Sequence, residues 1–330
     1  MSDENSLVNS EVIDHDESIV DQELDVMPAE MTSIASDVTS FRNDEEEITA
    51  TGPRINVYDN IPFAGGDGDY SILSVLFGAH SIGEGIFSFM TMKDSNKLRV
   101  QCRECHQAVK DFPWMDDVSW IKGNIKAWRA AFPCARAVNV SERYDIVDAD
   151  FMHIRGDARV RLHTVHMAYC KNVTDAAFVY LRGIHTLRMR GCYQDTITDS
   201  AFVHLRGIHT FDISHCHQRT ITDSAFIHLR GIHTLDMTCC SQIKDAAFVH
   251  LRGIHTLCIS GCRKITGAAF VHLRGINTLD MSYCSQTITA AAFEHLRGIH
   301  ILLTRGCSLS MQLTANRISL SSRGMSQYPS

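Results

Sequence analysis

Seven times in the second half of the chain a short phrase closes on cysteine: HTVHMAYC at Cys170, HTLRMRGC at Cys192, HTFDISHC at Cys216, HTLDMTCC at Cys240, HTLCISGC at Cys262, NTLDMSYC at Cys284 and HILLTRGC at Cys307. Successive cysteines lie 22, 24, 24, 22, 22 and 23 residues apart. A period in this range constrains the fold more than any local motif does. One unit of that length cannot bury its own apolar face, so units must stack and share a core.

Within a unit, Ile184, Leu187, Met189 and Cys192 hold the apolar positions, and Leu187 with Met189 makes the period-2 step of a short strand. ITD or VTD follows, then AAFVYL or SAFVHL, where Phe178 and Leu181 lie three apart and share a helix face. Glycine succeeds each Leu-Arg pair, as at Gly183 and Gly207, where a helix-ending residue belongs. Asp175, Asp199, Asp223 and Asp245 stand where the helix begins. Arg182, Arg206, Arg230, Arg252, Arg274 and Arg297 stand where it ends, so both ends match the helix dipole. Each unit therefore reads as strand, turn, helix, turn. Burying its Ile, Leu, Met and Phe contributes about 1.5–3 kcal/mol per side chain, against about 0–1 kcal/mol for a surface ion pair.

The core Leu-x-x-Leu-x-Leu-x-x-Cys/Asn and the Ile-Thr-Asp after it resemble the cysteine-containing leucine-rich repeat. The resemblance covers residues 131–307 in about seven to eight units, counting a degenerate one at AAFPCARAVNVSERY with Val138 and Val140 as strand core. The first clear unit carries an insertion, DARVR, and the last degrades, with Thr304 in place of the core Met or Ile. The implied fold is an α/β solenoid with a parallel sheet on the concave face and helices on the convex face. Residues between the core positions would then point out from the sheet, and Arg188, Arg190, Asp212, His215, Asp236, Asp280 and Tyr283 are the expected target-binding residues. Their graded charge suits a target of mixed charge, and Tyr283 is the favoured anchor. The competing reading is that they are solvated strand residues left by duplication.

The rest of the chain differs in composition. Residues 1–50 hold fifteen Asp or Glu against the single basic Arg42, which leaves residues 51–330 with an excess of about seven positive charges under the overall −7. The expectation is a disordered acidic tail over 1–60. No basic segment precedes an apolar run, and no apolar run reaches about 18 residues, so a soluble, unsecreted protein without a membrane partner is expected. Twelve cysteines in such a chain read as reduced thiols, seven of them in the repeat core.

Eleven of the 18 histidines form two columns, His163, His185, His209, His233, His255 and His300 before strands, and one in each of five helices. A metal could bridge stacked neighbours, yet duplication alone explains the columns, and no cofactor or metal is expected. CRECH at 102–106 matches the haem-attachment pattern, but that chemistry goes with export. No phosphate loop, HExxH or GxSxG appears, so a non-catalytic protein is expected. The basic helix ends suggest nucleic acid, but dipole complementarity accounts for them and aromatic interleaving is absent, so no nucleic-acid partner is expected.

In front of the repeats, Ile82, Ile86, Phe89 and Met90 fall at helical spacing, as do Leu98, Cys102, Cys105 and Val109, with the polar KDSN between. That predicts a small all-α module over 70–112, then a helical linker over 113–130. The module is too small to stand alone, and leans on a partner or on the repeats. The stretch IGEGIFSFMTMKDSNKLRVQCRECHQAV resembles an F-box: Glu84, Ile86 to Met90, Asp94, Leu98, Val100 and Arg103 fit that pattern, while its opening Leu-Pro is replaced by Ser81-Ile82. The order of this module, a short linker and cysteine-containing repeats is that of F-box/leucine-rich-repeat proteins. The near-identical repeat units are also similar to repeat proteins of large DNA viruses.

The resemblance implies a non-catalytic substrate-recognition subunit of a cullin-type ubiquitin ligase, monomeric within a larger complex. Ile82, Ile86, Phe87, Phe89, Met90, Leu98 and Val100 would dock on a Skp1-like adaptor. The repeats would hold an unknown target protein in the cytoplasm, the nucleus, or a host-cell cytoplasm if the source is viral. The alternative is a leucine-rich-repeat interaction scaffold with no ubiquitin link. The Ser-rich stretch 308–330 reads either as a tail or as a cap.

Overall fold

A computed structural model of the chain describes residues 87–315, apart from 89, 102, 157–160, 285–287, 309, 310 and 314, all within one compact unit that begins at Asp69. The expected tail over 1–60 and most of 308–330 lie outside the described residues.

Eight parallel strands pair in strict chain order: β1 (Ala137–Asn139), β2 (Thr164–His166), β3 (Thr186–Arg188), β4 (Thr210–Asp212), β5 (Thr234–Asp236), β6 (Thr256–Cys258), β7 (Thr278–Asp280) and β8 (Ile301–Leu303). The register places equivalent residues side by side, so Leu187 pairs with Phe211 and Phe211 with Leu235. Each strand belongs to one repeat, and the degenerate unit supplies β1. This is the stacked strand-and-helix solenoid the periodicity predicts, and the α/β leucine-rich-repeat fold that the resemblance implies. A single core runs its length, with Leu187, Phe211, Leu235 and Leu257 from the sheet facing Phe178, Phe202, Phe226 and Phe248 from the helices, all fully buried. At the first edge Ile121 donates its backbone N–H to Asn139 O at 2.9 Å, and Trp120 bridges Asn139, which covers what would be an open strand.

From the second unit on, the return segments are 3-10 helices, among them Asp175–Leu181, Asp223–Leu229 and Ala290–Leu296; a single α-helical turn, Asp199–Phe202, continues as 3-10. The rise of about 2.0 Å per residue lets six or seven residues cross the unit while Ala177, Phe178 and Leu181 still face the core. The Asp and Arg columns also do something other than complement a dipole. Asp175 accepts from Thr198 of the next unit, from N–H at 2.7 Å and from Oγ1 at 2.6 Å, and Asp148, Asp199 and Asp245 repeat the pair of bonds with Thr174, Thr222 and Thr266. The Thr Oγ1 meanwhile caps its own helix by accepting from the N–H two residues on, as at Ser200. Each Asp thus fastens one unit to the next.

The repeat cysteines do the same from inside. Cys192 Sγ donates to Met167 O at 3.1 Å, Cys216 to Met189 O at 3.2 Å and Cys240 to Ile213 O at 3.1 Å, each a carbonyl of the preceding unit. Burial pushes the Cys216 and Cys284 thiols up to about 12 and Cys170 to about 11, so all three stay protonated donors.

Ahead of the repeats lie α1 (Met92–Leu98), α2 (Arg103–Asp111) and α3 (Ile125–Ala131). Phe87, Met92, Leu98, Val109, Trp114 and Phe132 form their shared apolar cluster. Trp114 is its centre, edge-on to Phe112 and Phe132, with its indole N–H donated to Val109 O at 2.8 Å. This module joins the repeats through Arg129 of α3. The buried guanidinium donates to Ala135 O at 2.8 Å, Phe132 O at 3.2 Å and His153 O at 3.1 Å, and to Ile154 O, the last two in α4 (Asp148–Arg155) of the first unit. Five peptide oxygens stand in for water, and burial lowers its pKa to about 10. Gly156 is obligatory here: its φ is 71°, and a Cβ would come within 3.0 Å of Arg129 Nε.

Phe226→Ala should remove a fully buried ring from mid-core and destabilise the chain by about 3–5 kcal/mol, read as a shifted midpoint in denaturant unfolding followed by circular dichroism.

Candidate functional site

The third residue of every strand forms one column across the sheet face: Asn139, His166, Arg188, Asp212, Asp236, Cys258, Asp280 and Leu303, at about 4.8 Å per step. The column is basic through β2 and β3 and acidic at β4, β5 and β7, with Cys258 at β6. Asp117 of the linker approaches the basic half, 3.4 Å from His166 Nε2 and 3.9 Å from Arg188 Nη1.

The acidic half is more enclosed than the sequence predicts. Asp212 and Asp280 are only 5% and 7% exposed. The cause is local: Asp212, Asp236 and Asp280 each accept the backbone N–H two residues on, at 2.9 Å from Ser214, Thr238 and Ser282. These carboxylates hold the turn after the strand and offer a ligand only their remaining lone pairs. Cys258 lies between two of them, its Sγ 3.0 Å from Thr238 Oγ1 and 3.6 Å from Asp280 Oδ2. Burial first, and then Asp236 and Asp280, push its thiol well above the ordinary range. Such a thiol is a poor nucleophile.

His215 and Tyr283 stand elsewhere than the sequence places them. They sit not among the strand residues but in the turn beyond, in a column of eight with positive φ: Glu142, Tyr169, Gly191, His215, Cys239, Gly261, Tyr283 and Gly306. For a residue with a Cβ this conformation costs about 1–2 kcal/mol, and five positions bear it. Where glycine comes next, the preceding ring spreads over it: a Cβ on Gly191 would meet the Tyr169 ring at 2.3 Å, and one on Gly306 the Tyr283 ring at the same distance. Arg190 completes the first of these arrangements, donating Nε to Tyr169 OH at 3.2 Å, with Nη2 3.3 Å from His215 Nε2. Burial and then Arg190 lower the pKa of His215, so its ring is a neutral acceptor at pH 7. Arg188, Arg190, Asp236, His215 and Tyr283 are half-buried. Tyr169 was missed from the sequence, although AYC followed by RGC, and SYC followed by RGC, repeat one Tyr-to-Arg-Gly step at both ends of the column.

Of the seven expected adaptor-docking residues, Ile82, Ile86 and Phe89 lie outside the described residues. Phe87 and Leu98 are buried in the module's own cluster, Met90 is half-buried and Val100 is 81% exposed. Val100 edges a hollow of about 530 Å³ with Arg99, Arg103, His106 and Gln107. Cys102 of CRECH lies outside the described residues. Among the described residues, no group of three or more His, Cys, Asp or Glu is arranged to hold a metal, every cysteine is a free thiol, and no helix is long and apolar enough to cross a membrane.

No family model and no curated protein matches the chain. Among solved structures, a TLR13–ssRNA13 complex aligns at 15% identity and a TM-score of 0.46, over 56% of this chain and 27% of that one. Human 5T4 aligns at 13% and 0.41, over 52% and 71%, and the yeast Rad7–Elc1 complex at 10% and 0.32, over 73% and 97%. The chain thus spans little more than a quarter of the first of these, and at such values none bears on function.

From the histidine columns, acid sensitivity of the fold is expected. His163, His185, His209, His233 and His255 stack with centroids 4.4–4.5 Å apart, so protonation would set like charges face to face. On the helix side, burial and then the adjacent arginine lower the pKa of His204, His228 and His250, with Asp175 and Asp199 partly opposing this at the first two. A folded-state pKa below the unfolded 6.5 means that the unfolded chain takes up more protons, so stability falls as pH drops through about 6.5. The melting temperature should be lower at pH 5.5 than at 7.5, and replacing His204, His228 and His250 with Gln should flatten that dependence.

Proposed function

We propose that the protein is a target-recognition subunit of a Skp1–cullin–F-box ubiquitin ligase, non-catalytic itself. The helical module docks on a Skp1-like adaptor and the sheet face, with its turn edge, holds a target protein. The observation that carries this reading is the order of the chain: an F-box-like stretch, a short linker, then cysteine-containing leucine-rich repeats. The rigid junction supports it, because Arg129 and the Trp114 cluster fix the module against the first repeat, and a receptor must hold its target at a set distance from the transferring subunit. Its contribution is then effective concentration: target lysines held near the charged enzyme react as if intramolecular. Recognition falls to Arg188, Arg190, His215, Asp236 and Tyr283, with Tyr169 added, and less to the enclosed Asp212 and Asp280. Cytoplasm or nucleus is the proposed compartment, and the chain acts as one copy within the complex.

A second reading, an interaction scaffold with no ubiquitin link, is favoured by one observation: Phe87 and Leu98 are spent inside the module, which shrinks the apolar surface left for an adaptor. Pull-down of the full chain with purified Skp1 separates the two. The first reading predicts capture by the wild type and loss with Val100→Asp, an exposed position whose substitution leaves the Trp114 cluster intact. A wild type that does not bind leaves the scaffold.

A further inference from the structure

The helix side of the solenoid carries two parallel columns that the sheet-face reading does not use. The first is cationic. Arg182, Arg206, Arg230, Arg252 and Arg274 are exposed, one per unit, and each guanidinium lies 3.0–3.4 Å from the imidazole Nδ1 of the next unit, His204, His228, His250, His272 and His295 in turn. An imidazole accepting from a guanidinium is neutral, so it orients the cation without cancelling its charge. The acids of the same helices, Asp175, Asp199, Asp223 and Asp245, stand at the opposite end and are bonded to Thr198, Thr222, Lys244 and Thr266. Among the described residues, the cationic column is therefore uncompensated along these five units.

The second column is aliphatic. Val179, Val203, Ile227, Val249 and Val271 are each 40–44% exposed, a row of branched side chains facing water at the pitch of the repeat. Each precedes by three residues an arginine that caps or follows its 3-10 helix, and the equivalent pair in the last rung, Glu294 and Arg297, is close enough for an ion pair. The two rows therefore lie within side-chain reach of each other, one apolar and one cationic.

The sixth rung, in the unit of β7, shows what fits across them. There Glu294 takes the place of the valine, and its carboxylate forms an ion pair with Arg297 three residues on. A carboxylate lying over the aliphatic row thus reaches the guanidinium row, and among the described residues only this last rung is closed by the chain itself.

We propose that the first five rungs bind a carboxylate-rich segment of a partner protein that also carries aliphatic side chains, with its acids on the arginines and its aliphatic groups on the valine row. Planar guanidinium forks pair with carboxylates two bonds at a time. The valine row favours a polypeptide over a nucleic acid, whose bases need aromatic faces on which to stack. This surface is separate from the sheet face and does not depend on the ligase reading.

The test uses the full chain at pH 7.5 and fluorescence anisotropy with three labelled probes: a peptide of alternating Glu and Leu pairs, poly-L-glutamate of equal charge, and oligo-dT of equal charge. The Glu/Leu peptide should bind most tightly at 50 mM NaCl and weaken as salt rises. Two independent variants should each bind it about tenfold more weakly while staying folded by circular dichroism. Val203→Glu/Ile227→Glu/Val249→Glu closes three rungs as the sixth is closed, and Arg206→Gln/Arg230→Gln/Arg252→Gln removes their charge. Binding unchanged in both variants, oligo-dT binding as tightly as the peptide, or no peptide binding at 50 mM NaCl would each overturn the proposal.

Discussion

Everything in this molecule depends on one constraint: a unit of 22 to 24 residues has an apolar face it can hide only against its neighbours. The solution is a ladder, with each core residue stacked on its own counterpart one repeat away. Because the unit is nearly duplicated, each bond that fastens two repeats can recur along the stack. The Cys Sγ bond to a carbonyl of the preceding repeat recurs at seven junctions, from Cys170 to Val140 through Cys307 to Met281. The Asp-to-Thr pair and the Arg-to-His contact do the same on the outside. The residues that look most like chemistry in the sequence are therefore the ones most occupied with assembly.

What distinguishes one unit from another lies between those fixed positions. The third strand residue passes from His and Arg to Asp, and the turn beyond it alternates glycine with Tyr, His and Cys in a backbone conformation that costs free energy. Those side chains are held in place by contacts one unit away, as Tyr169 is by Gly191 and Arg190. On the helix side the exchange of Glu294 for valine changes an open rung into a closed one.

Much of the fold was legible because stacking imposes period on sequence. The strand residues Leu187 and Met189, the buried Phe178 and Leu181 and the turn glycine at 183 all follow from spacing. The helix type did not, since i,i+3 and i,i+4 patterns are indistinguishable over six or seven residues. Nor did the cross-repeat bonds: Asp175 at a helix start satisfies a dipole argument equally well, and only three-dimensional register shows that its carboxylate meets Thr198. Of the candidate site, Arg188 and Asp236 were readable as outward strand positions, and Arg190 follows β3 by two residues. His215 and Tyr283 were misplaced because one residue of positive φ after the strand swings the chain to the turn edge, and Asp212 and Asp280 were overestimated because backbone N–H groups claim them.

The central claim is that the recurring thiols are fastenings within the core and not ligands or nucleophiles. Native-state alkylation with iodoacetamide, resolved cysteine by cysteine by mass spectrometry, tests it directly. The account predicts that Cys192, Cys216, Cys240 and Cys262 stay unmodified in the native chain, with or without a chelator, while the partly exposed Cys134 and Cys239 react, and that all six react in guanidinium. Rapid native modification of the four core thiols, or protection that a chelator abolishes, would contradict it.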